Sequence, residues 1–191
     1  MWTKNSFKVF EQIKDIEASL PFPIKSYASD NGNEVLNQRI YRYFVESRPD
    51  GYKVDMTRGR EYRKNDQAHV EQKNYSHVRQ LFEYERVDYS AIVDLMNEIY
   101  KQYWNPLQNF FIPSMKCIRK TRIGARIKKE YDDPKTPYQR LLESADMSDE
   151  GKQALILRYQ NLDPFKLSEG LDRLLKRFFE LTKKRRLLLV A

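Results

Sequence analysis

The chain has 191 residues, 35 of them Lys or Arg against 27 Asp or Glu, for a formal charge of +8. A chain of this size buries about 70% of the surface its unfolded form exposes, enough for one domain with an extension or for two small ones. No run approaches the roughly 20 apolar residues of a membrane-crossing helix, the opening Met1-Trp2-Thr3-Lys4-Asn5 lacks the apolar stretch of a signal peptide, and Cys117, His69 and His77 supply neither a disulfide framework nor a structural zinc set. A reducing cytoplasm is the expected compartment. The excess positive charge points to a polyanionic partner, with nucleic acid ahead of a membrane surface.

Phe7, Phe10, Ile13, Ile16 and Leu20 recur every three to four positions, so the chain is expected to open with an amphipathic helix that Pro21 and Pro23 end. Ile24 to Ser29, between those prolines and Asp30-Asn31-Gly32, reads as a short strand entering a turn. Asn31 and Glu34 form a possible capping pair for a second helix with the stripe Leu36, Ile40, Tyr43 and Phe44. Tyr52, Val54 and Met56 alternate with polar residues, the period of a half-buried strand, after the turn Pro49-Asp50-Gly51. A polar loop from Gly59 to Asp66 carries Arg60, Arg63 and Lys64, just after Arg58. Val70, Asn74, Val78, Leu81 and Phe82 then trace a third helix, and Ile92, Leu95, Met96, Ile99 and Tyr103 a fourth, which starts at Ser90 and stops at or just before Pro106.

Beyond Pro113 the character changes. Residues 116–129 hold Lys116, Arg119, Lys120, Arg122, Arg126, Lys128 and Lys129 and no acid, which places a boundary near 113 and divides the chain into 1–112 and 113–191. Two further helices are expected, one after Ser148 and one opening at Asp163-Pro164, the last with an apolar face of Leu171, Leu174, Leu175, Phe178 and Phe179 and a basic opposite face.

Neither the P-loop nor the dinucleotide-binding glycine pattern is present. His69-Val70-Glu71 matches the start of a zinc-deaminase motif, but the later Pro-Cys-x-x-Cys it requires is missing. Two acids stand out by position: Asp30 at the end of a strand and Glu71 at the start of a helix behind a basic loop. Carboxylates so placed can converge on one magnesium or manganese ion, which takes hard oxygen ligands. Spacing alone favours ordinary roles, Asp30 in a turn and Glu71 as an exposed acid at a helix N-terminus.

Ser29-Asp30-Asn31-Gly32-Asn33-Glu34-Val35-Leu36-Asn37 and Tyr62-Arg63-Lys64-Asn65-Asp66-Gln67-Ala68-His69-Val70-Glu71-Gln72-Lys73-Asn74 resemble the second and third acidic motifs of DDE transposases of the integrase-core type found in bacterial insertion sequences. Pro134 to Glu143 resembles the segment that follows the catalytic domain in one such group, so the likeness runs over nearly the whole chain. Asn33 and Val35 depart from the commoner Ser and Phe.

The resemblance implies an α/β fold: a partial ribonuclease-H-like integrase catalytic core lacking its first strands over 1–112, followed by a mostly helical, basic region over 113–191. It implies three acids holding two magnesium or manganese ions for phosphodiester strand transfer, with Asp30 as the second acid and Glu71 the third. The first acid belongs on a strand preceding the first helix; Glu11, Asp15 and Glu17 are the acids before Asp30, and all fall in the expected helix. The chain is therefore expected to be the carboxyl-terminal part of a transposase that binds DNA, associates with the nucleoid, and is inactive by itself. Arg58, Arg60, Arg63, Lys64 and Lys73 are the expected grip on DNA near the metal site. Arg119, Lys120, Arg122, Arg126, Lys128 and Lys129 are the grip along a backbone. Tyr100, Tyr103, Trp104, Phe110 and Phe111 are expected in the core or an oligomer interface rather than stacked on bases. Expected partners are DNA and further subunits, either copies of this chain or full-length transposase. The alternative expectations are a non-catalytic regulator that binds element ends or full-length subunits, and a basic helical RNA-binding protein.

Overall fold

The structure, a computed structural model, describes residues 5–29, 37–48, 52–60, 66, 68–85, 87 and 89–190. Helices and short strands are mixed, and the chain forms two compact units, Met1–Val93 with Leu181–Ala191, and Asp94–Glu180. The change in composition near 113 falls inside the second of these.

The first unit opens with α1 (Ser6–Ser19), where the Asn5 side chain accepts from the Phe7 N–H and caps the N-terminus. At about 100° per residue, Val9, Phe10 and Ile13 share one face while Phe7 lies off it and Ile16 at its margin, and Leu20 has left the helix with an extended backbone. Accordingly Val9 is buried, and Phe7 and Ile16 are exposed at 46% and 55%. β1 (Ser26–Ser29) follows. α2 (Gln38–Tyr41) is capped by Asn37, whose side chain accepts from the Arg39 and Ile40 N–H groups, and continues into a π-helical turn, Arg42–Glu46. The expected Asn31–Glu34 capping pair lies outside the described residues.

β2 (Asp55–Arg58) pairs parallel with β1, Ser26 opposite Asp55 through Ser29 opposite Arg58. A parallel pair needs a crossover, here the segment containing α2. The second stripe supplies its core: Ile40 and Phe44 are fully buried, Val54 nearly so, and Val9 closes the cluster, with Phe10, Ile13, Ile24, Tyr27, Tyr52 and Met56 packed around it. Full burial of each such side chain contributes about 1.5–3 kcal/mol. α3 (Ala68–Asn74), a π-helical turn (Tyr75–Arg79) and α4 (Gln80–Phe82) form one helical run, ended at Glu83 with φ 54°.

α5 (Ser90–Glu98) starts where the sequence places it. Pro106, expected to stop the helix, does not: a π-helical turn (Ile99–Trp104) leads straight into α6 (Asn105–Phe110), with Pro106 in its first turn. Proline lacks an N–H and its ring crowds the carbonyl four residues back. The wider turn, in which the Asn105 N–H donates to the Tyr100 carbonyl five residues back, accommodates both defects.

In the second unit the basic stretch is a hairpin, β3 (Cys117–Ile123) with β4 (Arg126–Tyr131), antiparallel. Ile123 pairs with Arg126, leaving the two-residue turn Gly124-Ala125, and Gly124 takes φ +61°, the positive φ that the first position of a tight hairpin turn demands. Beyond it comes a helix not expected from the sequence, α7 (Pro137–Glu143), with a Thr136–Gln139 capping box, followed by the two expected ones: α8 (Asp149–Gln160), capped by Ser148, and α9 (Pro164–Val190). Phe110, Met147 and Leu155 form a core with Phe111, Tyr138, Leu141 and Leu162 packed on it. Tyr138 stacks on Tyr159 at 4.8 Å and packs against Phe110 at 5.2 Å. Phe110 and Phe111 are thus core residues, as expected, and Tyr103 lies against Gly170 of α9 so closely that a Cβ there would sit 2.0 Å from its ring.

Candidate metal and nucleic-acid site

β1 and β2 end together, Ser29 beside Arg58, and the Gly59 N–H donates to the Ser29 carbonyl at 2.9 Å to carry the pairing one step further. Asp30 follows Ser29 in the chain and lies outside the described residues, as do Arg63 and Lys64. The Ser29 hydroxyl is buried with no hydrogen-bond partner among the described residues, at the strand end that leads into Asp30. Glu71 sits on the first turn of α3, exposed, and its carboxylate makes no hydrogen bond or ion pair among the described residues. No cluster of three His, Cys, Asp or Glu side chains able to hold a metal occurs among the described residues.

The candidate DNA-gripping cations around Glu71 divide. Arg58 and Lys73 are exposed. Arg60 is bound: its Nε and Nη2 donate to the two Asp66 carboxylate oxygens at 2.8 and 2.9 Å, and its own N–H donates to Asp66 at 3.1 Å. The paired guanidinium and backbone N–H hold the Asp66 carboxyl at about 2. This bidentate clip closes the basic loop onto the residue two before α3, a role for Asp66 that the sequence analysis missed. The sequence trace it leaves is an acid closing a mainly basic loop, which also holds Glu61.

None of the three acids of α1 is placed as a free third ligand. Glu11 pairs with Lys8 at 2.9 Å. Both oxygens of Glu17 accept from Arg48 Nη2 at 2.7 Å, and one also accepts from the Tyr43 hydroxyl at 2.6 Å. Arg48 is held in turn over the rings of Tyr43, Phe44 and Tyr52 at 4.8, 5.5 and 5.9 Å. Burial opposes ionisation of Glu17, but the hydrogen bonds from Tyr43 and Arg48 outweigh it and keep the carboxyl below its ordinary range. Asp15 has an interaction of its own. Of the histidines, His77 is half-buried on the π-helical turn after α3, and burial and then Lys73 lower its pKa. That is the behaviour of a packed imidazole.

The second group of cations is displayed openly. From 112 to 131 every residue is exposed except Thr121 and Glu130, which are half-buried. Arg119, Lys120, Arg122, Arg126, Lys128 and Lys129 lie on this ribbon, and among the described residues none of them pairs with a carboxylate. Its base is fixed by Asp132, which accepts from the Lys116 N–H at 2.6 Å and from Arg140 Nη1 at 2.5 Å, while Arg140 Nη2 also donates to the Ser114 carbonyl at 2.7 Å. Arg140 and the Lys116 N–H hold the Asp132 carboxyl at about 2. No helix among the described residues is long and apolar enough to cross a membrane.

No family model matches the chain, and no solved structure does. Over 141 residues the chain is 37% identical to the uncharacterized protein y4rM of Sinorhizobium fredii, an alignment that covers 72% of this chain and 38% of that protein. The chain thus spans well under half the length of the curated relative it matches.

Proposed function

We propose that this chain is the carboxyl-terminal part of a DDE transposase of the integrase-core type, contributing the second and third acids of a strand-transfer site and a basic DNA-binding ribbon. The supporting observation is the parallel β1–β2 pair, joined through a helical crossover. Asp30 is the next residue after one strand end, and Glu71 lies on the first turn of the helix that follows the other. Ligands of open α/β sheets bind outside the carboxyl ends of parallel strands, and that is the end to which both acids belong by chain order. The same order of elements is the second half of a ribonuclease-H-like core, with 1–112 as the catalytic part and 113–191 as the DNA-binding part.

The donor set fits a hard divalent cation: two carboxylates supply oxygen ligands, Glu71 is unpaired among the described residues, and the Ser29 hydroxyl, one residue before Asp30 in the chain, is buried with no partner among them. When bound, magnesium or manganese supplies the activation of a water or DNA 3′-hydroxyl and the charge stabilisation of an in-line displacement. Asp30 and Glu71 would hold the cation, Arg58 and Lys73 would attract the phosphate backbone, and the Arg60–Asp66 clip ties the chain leaving β2 to the approach to α3. With Glu17 engaged by Arg48 and Tyr43 and Glu11 paired with Lys8, α1 offers no ready substitute for the first acid. The 191 residues alone then bind DNA without transferring strands.

The test is strand transfer by a longer chain that carries an aspartate-bearing strand ahead of residue 1. Magnesium-dependent joining that is abolished by Asp30→Asn and by Glu71→Gln is the expected result, and activity that survives both substitutions overturns the assignment. A second reading, a non-catalytic regulator of full-length transposase, is favoured by the ribbon, which needs no metal site to bind DNA. It requires that adding this chain lowers the rate of an active full-length enzyme.

A further inference from the structure

The register of the hairpin sorts its cations onto two faces. Arg119, Arg126 and Lys128 share one face with Thr121 and Glu130, and Lys120, Arg122 and Lys129 share the other with Ile127. Each face therefore carries three cations, all six of them exposed, with Glu130 offsetting one charge on the first face and no acid on the second. Lys120 stands directly opposite Lys129, a like-charge cross-strand pair that weakens a free ribbon. A surface built for one flat polyanion, such as a membrane or a single backbone, would place its charge on one side and leave the other neutral or apolar.

We propose that this ribbon enters the major groove of duplex DNA, with one face toward each phosphate wall. A groove flanks its occupant with negative charge on both sides, which is the charge complement of a ribbon that is basic on both faces. The major groove of B-form DNA, about 12 Å wide, admits a two-stranded β-ribbon as it stands, whereas the minor groove, about 6 Å wide, takes strands only at the cost of deforming the duplex. The deep, narrow major groove of A-form RNA keeps side chains out. Seven residues of β3 at about 3.3 Å each span roughly 23 Å, about two-thirds of a turn of the duplex. The tight Gly124-Ala125 turn keeps the leading end slim. The arrangement rests on the DNA-binding reading above and adds where on the duplex the ribbon sits.

The experiment is fluorescence anisotropy of the whole chain with a 30-base-pair DNA duplex across a salt series, together with dimethyl sulfate footprinting of guanine N7, which faces the major groove. Lys120→Gln with Lys129→Gln removes two of the three cations of one face, and Arg119→Gln with Lys128→Gln two of the three of the other. Each cation that meets a phosphate contributes about 0.9 to the slope of log K against log salt. Each pair is therefore expected to lower the slope by nearly 2, the four together by close to twice that, and N7 protection should vanish in the fourfold variant. Substitutions at exposed positions leave the fold intact, which circular dichroism checks. A slope that responds to only one face, unprotected N7 in the bound complex, or equal affinity for an RNA duplex overturns groove entry while leaving DNA binding in place. Absence of any salt-dependent binding to duplex DNA by the unaltered chain overturns both readings.

Discussion

Replacing Glu17 by Gln keeps the shape of the side chain and removes its charge, and the structure fixes what this should do. Glu17 and Arg48 are 12% and 15% exposed, and the carboxylate accepts from Arg48 through both oxygens and from the Tyr43 hydroxyl. A hydrogen bond to a charged group contributes about 1.5–3 kcal/mol net, and stranding one partner of a fully buried pair costs about 3–5 kcal/mol. Solvent still reaches the edge of this pair, the amide of Gln can still accept from Tyr43, and Arg48 keeps its ring contacts. The loss should therefore fall near 2 kcal/mol, or about 4–8 °C in Tm for a chain of this length. Because the folded carboxyl titrates below its ordinary range, its contribution is complete above the unfolded pKa of about 4.3 and disappears as pH falls through the lower folded value. Urea unfolding at pH 7 and under acid conditions measures both effects, and the variant should be less sensitive to acid than the parent. A loss below 0.5 kcal/mol, or weakened divalent-cation binding with stability unchanged, would refute the reasoning, since Glu17 would then be a ligand and not a strut.

Gly170→Ala drives a methyl to 2.0 Å from the Tyr103 ring and should cost about 1–3 kcal/mol by overpacking; adding Tyr103→Ala should recover part of it in thermal unfolding. Glu83→Gly relieves a non-glycine residue at φ 54° and should stabilise by about 1 kcal/mol, the strain released less the extra entropy of the unfolded chain. Asp132, with its folded carboxyl at about 2 against an ordinary 3.8, stabilises the base of the hairpin above pH 4. That support is lost as pH falls from about 4 toward 2, so the amide of Lys116 should shift in an NMR titration over this range in the parent and not in Asp132→Asn.

The elements that bury a strong stripe were legible from their residues. Ile40, Phe44 and Val54, picked out by helical and alternating periods, are the centre of the first unit's core, and Ser148 and Asp163 mark helix starts because their side chains cap them, while α5 begins at Ser90 itself. The parallel pairing of β1 with β2 was not legible, because two four-residue strands carry no signal of who pairs with whom. Pro106 misled because a rule about α-helical hydrogen bonding does not hold in a π-helical turn. The hairpin was hidden by its charges: with nothing to bury, it has no hydrophobic period. Its one signal is Gly124 set between the β-branched residues Ile123 and Thr121 on one side and Ile127 on the other. At the candidate site, motif resemblance singled out Asp30 and Glu71 where spacing favoured ordinary roles. The pairing of Arg60 with Asp66 and of Glu17 with Arg48 came only from the fold, since contacts across 6 and 31 residues leave no local pattern.

The central claim is that Asp30 and Glu71 share one divalent cation at the carboxyl end of the β1–β2 pair. Titrating manganese into the isotope-labelled chain and following paramagnetic broadening of backbone amides tests it most directly. The account predicts that Ser29, Asp30 and Glu71 broaden together at the lowest metal concentrations, that Asp30→Asn and Glu71→Gln each remove the broadening at both places, and that Glu17→Gln leaves it unchanged. Broadening at Asp30 and at Glu71 that arises at different metal concentrations, or that survives substitution of the other acid, would contradict it.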